Sequence, residues 1–306
     1  MKGRAARILA LVLLLFLFPF TLTAFGEETE PEVTDMRIYI DGLLTGRGYV
    51  CSGTVLLPLE DLCRFFGVEL SVSRDDEAGK TILSAPGLEA EIPDGKEYLC
   101  ANQRYLYAPG GAVRIKEELY LPVEAAAKLL NLSYAAAEDM GRIDLDSSEW
   151  QLIRGSSTYY SDNFGSEELF WLARIIHAEA ANQPLAGQIG VGNVVFNRVE
   201  SDIYPDTVYD VIFDREHNIQ FEPVMRGTVY AEPNEQSVIA ACLCFEGYNT
   251  VGECMYFVNP DLADDSWFRG SLNFYATIGD HDFYSWLSKE KEYDKIGCVK
   301  THPIFL

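Results

Sequence analysis

Histidine and basic side chains are both scarce in this 306-residue chain. It has four His, and 24 Lys and Arg against 47 Asp and Glu, for a formal net charge of −23. So acidic a chain repels phosphate backbones and anionic lipid surfaces, and no local basic patch offsets this, so no nucleic-acid partner is expected. The H-E-x-x-H, P-loop, EF-hand and G-x-S-x-G patterns are all absent. Three of His177, His217, His281 and His302 could gather around zinc in space, but no local spacing supports it, and no metal or other cofactor is expected. His177-Ala178-Glu179 opens the zinc deaminase signature, whose second half needs P-C-x-x-C; Cys242-Leu243-Cys244 has the wrong spacing and no Pro before it. The seven cysteines are an odd number, and no bridge is assigned. Past residue 26 there is no apolar run of membrane-spanning length.

What is present is the composition of a folded chain, 48% hydrophobic and 23% charged, long enough for two domains. Lys2, Arg4 and Arg7 precede the apolar run Ile8 to Leu22, and Ala24-Phe25-Gly26 offers small residues where a signal peptidase reads. Residues 1–26 are therefore expected to be a secretory signal peptide, with an uncleaved membrane anchor as the alternative. Cleavage would take three cations and no acid, changing the net charge from −23 to −26. Residues 27–35 read as a flexible acidic leader.

From 36 to 146 the sequence repeats itself. Thr54-Val55-Leu56-Leu57-Pro58-Leu59-Glu60-Asp61-Leu62 predicts a strand running into a helix, and Glu118-Leu119-Tyr120-Leu121-Pro122-Val123-Glu124-Ala125-Ala126 does so again. Each Pro sits near the first helical turn, where a missing N–H costs nothing. Gly67 and Asn131 end the helices, and strands follow at 69–73 and 132–135. The expected fold is α+β, with two strand–helix–strand repeats. The pattern resembles the stalk domain also described as the N-terminal domain of copper amine oxidases. That likeness implies no copper site, and this stretch holds no His. It implies a spacer or wall-contact module, or a packing domain without a ligand. Residues 147–165 are polar and read as a linker.

The second domain is expected over 166–286, with 287–306 as a tail. Ser166 suits a helix start, and Glu167 and Glu168 suit its positive end. Leu172, Ala173, Ile176 and Ala180 recur at helical spacing. Glu179 falls at the edge of that apolar face, where lost hydration favours the protonated acid and lets it serve as a proton donor. The alternative is a Glu paired with Arg174 or capped by nearby amides. His177 is turned about 160° from Glu179 on an ideal helix and reads as a structural hydrogen-bonder. A second helix is expected over 185–199, where Gly187, Gly190 and Gly192 call for a close neighbour, either the first helix or a sugar chain. Asp206 is a plausible cap for a short helix. A helix is expected over 234–245, a strand over 254–258, and two strands around Gly279-Asp280. The domain is thus mainly helical with a small antiparallel sheet.

Residues 169–284 resemble the SleB-type cell wall hydrolases, the spore cortex-lytic enzyme family. The carrying motifs run collinearly: Leu172-Ala173-Arg174-Ile175-Ile176-His177-Ala178-Glu179-Ala180, Gly187-Gln188-Ile189-Gly190-Val191-Gly192-Asn193-Val194-Val195-Phe196-Asn197-Arg198-Val199, Tyr204-Pro205-Asp206-Thr207, Gln220-Phe221, Tyr256-Phe257-Val258-Asn259-Pro260, Trp267 and Ile278-Gly279-Asp280-His281-Asp282-Phe283-Tyr284. The resemblance implies a lysozyme-like fold, an extracytoplasmic protein of the wall or spore envelope, and peptidoglycan glycan strands as substrate. It places the catalytic acid at Glu179, in a lytic transglycosylase reaction that forms a 1,6-anhydro ring without a second carboxylate. Substrate-binding roles are expected for Gln188, Asn259 and His281 as hydrogen-bonders and for Phe221, Tyr256 and Trp267 as stacking faces, with core or turn packing as the alternative for each. Membrane association is expected only if the signal segment stays uncleaved, and the acidic charge suggests a separate wall-targeting or regulatory protein. Two other readings stand beside this one: a zinc-dependent N-acetylmuramoyl-L-alanine amidase and a non-catalytic wall-binding protein.

Overall fold

Apolar runs broken by turn residues build the first half of the chain. The structure, a computed structural model, describes residues 33–136, 141–155, 166–215 and 221–286. The signal segment, most of the leader, the end of the linker, the tail, Gln220, His217, His302 and Cys298 lie outside the described residues. Strands β1 (Val33–Ile40), β2 (Leu43–Cys51) and β3 (Thr54–Pro58) form a meander, followed by helix α1 (Leu59–Phe65). Its turns, Asp41-Gly42 and Ser52-Gly53, have positive φ at both residues, the geometry that matches the twist of a hairpin. Next come β4 (Ser71–Asp75), β5 (Lys80–Ala85), β6 (Leu88–Pro93), β7 (Tyr98–Ala101), β8 (Arg104–Tyr107), β9 (Val113–Ile115), β10 (Glu118–Pro122), α2 (Val123–Leu130), β11 (Ser133–Ala136) and β12 (Arg142–Asp146). Pro58 and Pro122 stand at the N-caps of α1 and α2, and Asn131 in the left-handed region closes α2.

The two Leu-Pro segments lie side by side, β3 pairing antiparallel with β10 so that Leu57 faces Leu121. The seven-stranded sheet runs β11-β12-β1-β2-β3-β10-β9, and a second sheet runs β4-β5-β6-β7-β8. The likeness between the two segments therefore stops at the helices: the strand after α1 enters the second sheet, whereas the strand after α2 stays in the first. Leu57, Leu59, Leu62, Leu121, Ala126, Leu129 and Leu130 close one core between these layers. β1 begins inside the expected leader, at Val33. The expected linker is partly ordered against this region: Ile153 is buried, its N–H donates to the Leu129 carbonyl, and Trp150 stacks on Phe66.

The second half is mainly helical. It comprises α3 (Ser166–Ala180), α4 (Leu185–Val199), α5 (Val208–Ile212), α6 (Glu222–Arg226), a 3-10 turn (Thr228–Tyr230), α7 (Glu235–Phe245), β13 (Tyr256–Val258), α8 (Ser266–Ser271), β14 (Leu272–Ile278) and β15 (His281–Trp286). The three strands form an antiparallel sheet in the order β13-β15-β14. Among the described residues no helix is long and apolar enough to cross a membrane. The cap of α5 is Thr207, whose hydroxyl accepts from the Asp210 N–H; Asp206 does not serve. Protein, not sugar, explains the glycines of α4. A Cβ on Gly192 would stand 2.6 Å from Cys244 Sγ, and one on Gly190 2.9 Å from both Phe283 and Val251. The helix gives up about 1 kcal/mol per Gly relative to Ala in exchange for that close packing.

The two regions are joined by more than the chain. The carboxylate of Glu246, buried just past α7, is held by the Arg104 guanidinium from β8, and Lys128 of α2 donates to the Glu246 carbonyl at 2.8 Å. Tyr107 packs edge-on against Tyr248 at 5.9 Å.

Candidate active site

Helix α3 buries Leu172, Ile175, Ile176 and Ala180 completely, and this fixes where Glu179 points. Its side chain stands at the edge of that face, half-buried as a whole, with Oε1 fully buried and lacking any hydrogen-bond partner. Burial, reinforced by the nearby Glu222 carboxylate, pushes its pKa up to about 8, against the opposing pull of Arg198. Glu179 also lies in the last helical turn, where the negative end of the helix disfavours an anion. At pH 7 the acid is protonated roughly ten to one. Arg174 is not its partner: that guanidinium stacks on Phe170 at 4.3 Å and donates to the carbonyls of Tyr230 and Ala231 and to Glu232. His177 turns away and accepts from the Asn234 N–H at 3.3 Å, tying α3 to the cap of α7.

The other expected site residues are distributed through the domain. Gln188 is fully buried; its amide donates to the Gln183 carbonyl and accepts from the Ser237 hydroxyl, each at 3.0 Å. Phe221 and Tyr256 are fully buried, and the guanidinium of Arg198 lies over both rings, at 5.1 and 5.7 Å. These three side chains leave no face open to a sugar in this conformation. Asn259 is half-buried and accepts from the Asp261 N–H, as a turn residue does. Trp267 is half-buried with its ring edge-on to Tyr256 at 6.1 Å. His281 is buried against Phe257, and burial holds its imidazole below the usual range, so it is neutral at pH 7; its Nδ1 is buried without a partner. The structure thus gathers Phe221 and Tyr256 around a cation, with Trp267 beside them.

Reading the sequence missed two groups that act on Glu179. Glu222 opens α6 and is paired with Arg226 at 2.5 Å. Arg198 is a cation on the buried face of α4 that also carries Val191, Val194 and Val195. A charged residue in helical register with fully buried valines was the available signal. Among the described residues, no three His, Cys, Asp or Glu side chains cluster so as to hold a metal ion.

A buried carboxylic acid with a raised pKa can donate a proton, and comparisons with known proteins show what the domain around it is similar to. Residues 182–284 match the cell wall hydrolase family. The matched segment begins three residues after Glu179. Among similar proteins, the spore cortex-lytic enzyme of Bacillus subtilis is 32% identical over 120 residues, which is 39% of this chain and 38% of that one. The spore cortex-lytic enzyme of Bacillus cereus is 30% identical over 114 residues, 37% of this chain and 43% of that one. The chain thus spans less than half the length of these curated relatives. Among solved structures, the catalytic domain of the germination-specific lytic transglycosylase SleB from Bacillus anthracis is 30% identical, with 40% of this chain and 98% of that chain covered and a TM-score of 0.37.

Proposed function

We propose that this protein cleaves the glycan strands of peptidoglycan as a lytic transglycosylase, with Glu179 acting first as acid and then as base. The observation that carries the reading is the buried, unpartnered Oε1 of an acid that stays protonated at neutral pH. Its proton passes to the oxygen bridging N-acetylmuramic acid and N-acetylglucosamine, and the bond from that oxygen to the muramic anomeric carbon breaks. The resulting carboxylate then takes the proton of the muramic 6-hydroxyl, whose oxygen bonds to the same carbon and closes the anhydro ring. No water is consumed, so one carboxylate suffices where glycoside hydrolysis uses two. The second domain is lysozyme-like in this reading, and the first region is a spacer or wall-contact stalk of two related strand–helix units. The names of the relatives support a place outside the cytoplasm, at the wall or spore envelope, in cortex lysis during germination or in wall remodelling.

Mass spectrometry of purified sacculi digested with the protein and with Glu179→Gln tests the proposal. Anhydro-muropeptides from the first and none from the second are expected. Free stem peptides with chelator-sensitive release would identify an amidase instead, and undigested sacculi with both proteins would identify a wall-binding protein.

A further inference from the structure

Arg198 is a buried cation in the second domain. It is 2% exposed, yet among the described residues it has no ion-pair partner. Its Nε donates to the Met255 carbonyl at 2.9 Å, and Nη1 is buried with no hydrogen-bond partner. Three rings enclose the guanidinium: Tyr204 and Phe221 at 5.1 Å and Tyr256 at 5.7 Å. Ring faces attract a cation, but they do not replace the hydration or counter-ion that a buried charge requires. The orphaned Nη1 is matched by a second orphan, Oε1 of Glu179, on the adjoining helix. The two charged side chains whose fields reach Glu179 are Glu222 from α6 and Arg198 from α4, of opposite sign. Glu222 is already paired with Arg226, whereas Arg198 has no ion-pair partner among the described residues.

We propose that Arg198 is a positioning residue that stabilises the Glu179 carboxylate in the interval between release and recovery of its proton, and that Tyr204, Phe221 and Tyr256 form the box that holds its guanidinium in place. The inference rests on the transglycosylase reading for its catalytic consequence. With Glu179 protonated, Arg198 lacks a counter-charge. Once the proton has gone to the leaving oxygen, the new anion lies in the field of a buried cation on the adjoining helix, and burial screens their attraction far less than water would. The preorganised charge thus favours the state that follows bond cleavage. Phe221 and Tyr256, expected to stack on sugars, serve the acid indirectly.

The test has two parts. In the first, the pH dependence of glycan cleavage is compared for wild type, Arg198→Met and Arg198→Lys. Removing the cation is expected to move the falling limb of the profile upward by roughly half a pH unit or more and to lower kcat at least tenfold with KM little changed. Arg198→Lys, which keeps the charge, is expected to return most of the midpoint shift. A folded Arg198→Met protein with an unmoved midpoint overturns the proposal. The second part needs no substrate and no Arg198 variant, so it stands if Arg198→Met fails to fold or if glycan cleavage is not the activity. Side-chain 15N resonances of Arg198 are followed from pH 5 to 10 in wild type and in Glu179→Gln. A shift with the Glu179 midpoint in wild type, lost in Glu179→Gln, supports the coupling; a flat wild-type response refutes it.

Discussion

Replacing Glu179 by Gln is expected to stabilise the folded protein at neutral pH while removing the proposed proton donor. The folded-state pKa of Glu179 is about 8, against 4.5 for the unperturbed group. Below pH 4.5 the acid is neutral in both folded and unfolded chains and contributes no pH-dependent term. Between pH 4.5 and 8 the unfolded chain ionises and the folded one does not. The folded chain then holds the extra proton, so stability falls as pH rises through this window. At 1.36 kcal/mol per unit, the loss is about 3 kcal/mol at pH 7 and approaches about 5 kcal/mol above pH 8. Gln carries no such term. The stability of Glu179→Gln minus that of wild type is therefore expected to grow by those amounts between pH 4.5 and 8, when measured by urea unfolding. Fixed differences in packing cancel in that comparison, because they are the same at each pH. A difference that stays constant from pH 4.5 to 8 would refute the assignment of a neutral buried acid.

Other substitutions test the supporting structure. Glu246→Ala leaves the half-buried Arg104 without its carboxylate at the junction of the two regions and is expected to cost about 3–5 kcal/mol in unfolding free energy. Gly192→Ala gains about 1 kcal/mol of helix propensity but drives a Cβ to within 2.6 Å of Cys244 Sγ, an overpacking cost of about 1–3 kcal/mol. The net effect is a lowered Tm, relieved in part when Cys244→Ala is added, because the Cys244 Cβ would lie 3.7 Å away while Ile176 Cδ1 remains at 3.0 Å. Gln188→Met strands the Ser237 hydroxyl, while the Gln183 carbonyl keeps the Gln236 amide as a donor at 3.3 Å, and is expected to cost about 1–3 kcal/mol; an unchanged KM for glycan would place Gln188 in the scaffold, whereas a raised KM at full stability would return it to the substrate groove. Asn234→Ala removes the side-chain acceptor for the Ser237 N–H at 2.8 Å and is expected to cost about 1 kcal/mol.

Helical periodicity made the second domain legible: Leu172, Ile176 and Ala180 defined the buried face that sets Glu179 at its edge, and the boundaries of α4 agree with the expected 185–199. Turn chemistry at Gly279-Asp280 likewise located the β14–β15 hairpin. In the first region, the two Leu-Pro turns were visible because Pro and an apolar run are local signals. The assignment of β4 and β11 to different sheets was not, because strand partners are chosen by tertiary packing rather than by the strand's own residues. Side-chain environment was the least legible feature. Gln188 and Phe221 are chemically suited to bind sugar, but Gln188 spends its amide on Gln183 and Ser237, and Phe221 spends its ring on Arg198. A lone Arg near a helix C-terminus is compatible with a favourable dipole contact; only three-dimensional packing reveals that Arg198 is buried and has no ion-pair partner among the described residues.

In the proposed reaction, an acid kept neutral by burial donates the proton that breaks the glycan chain. The rate of anhydro-muropeptide release from purified sacculi, followed from pH 4 to 10, tests it most directly. The expected rate is level through neutrality and falls with a midpoint near pH 8, with no release by Glu179→Gln at any pH. A rate that instead falls with a midpoint near pH 4.5, where an ordinary Glu ionises, would contradict it.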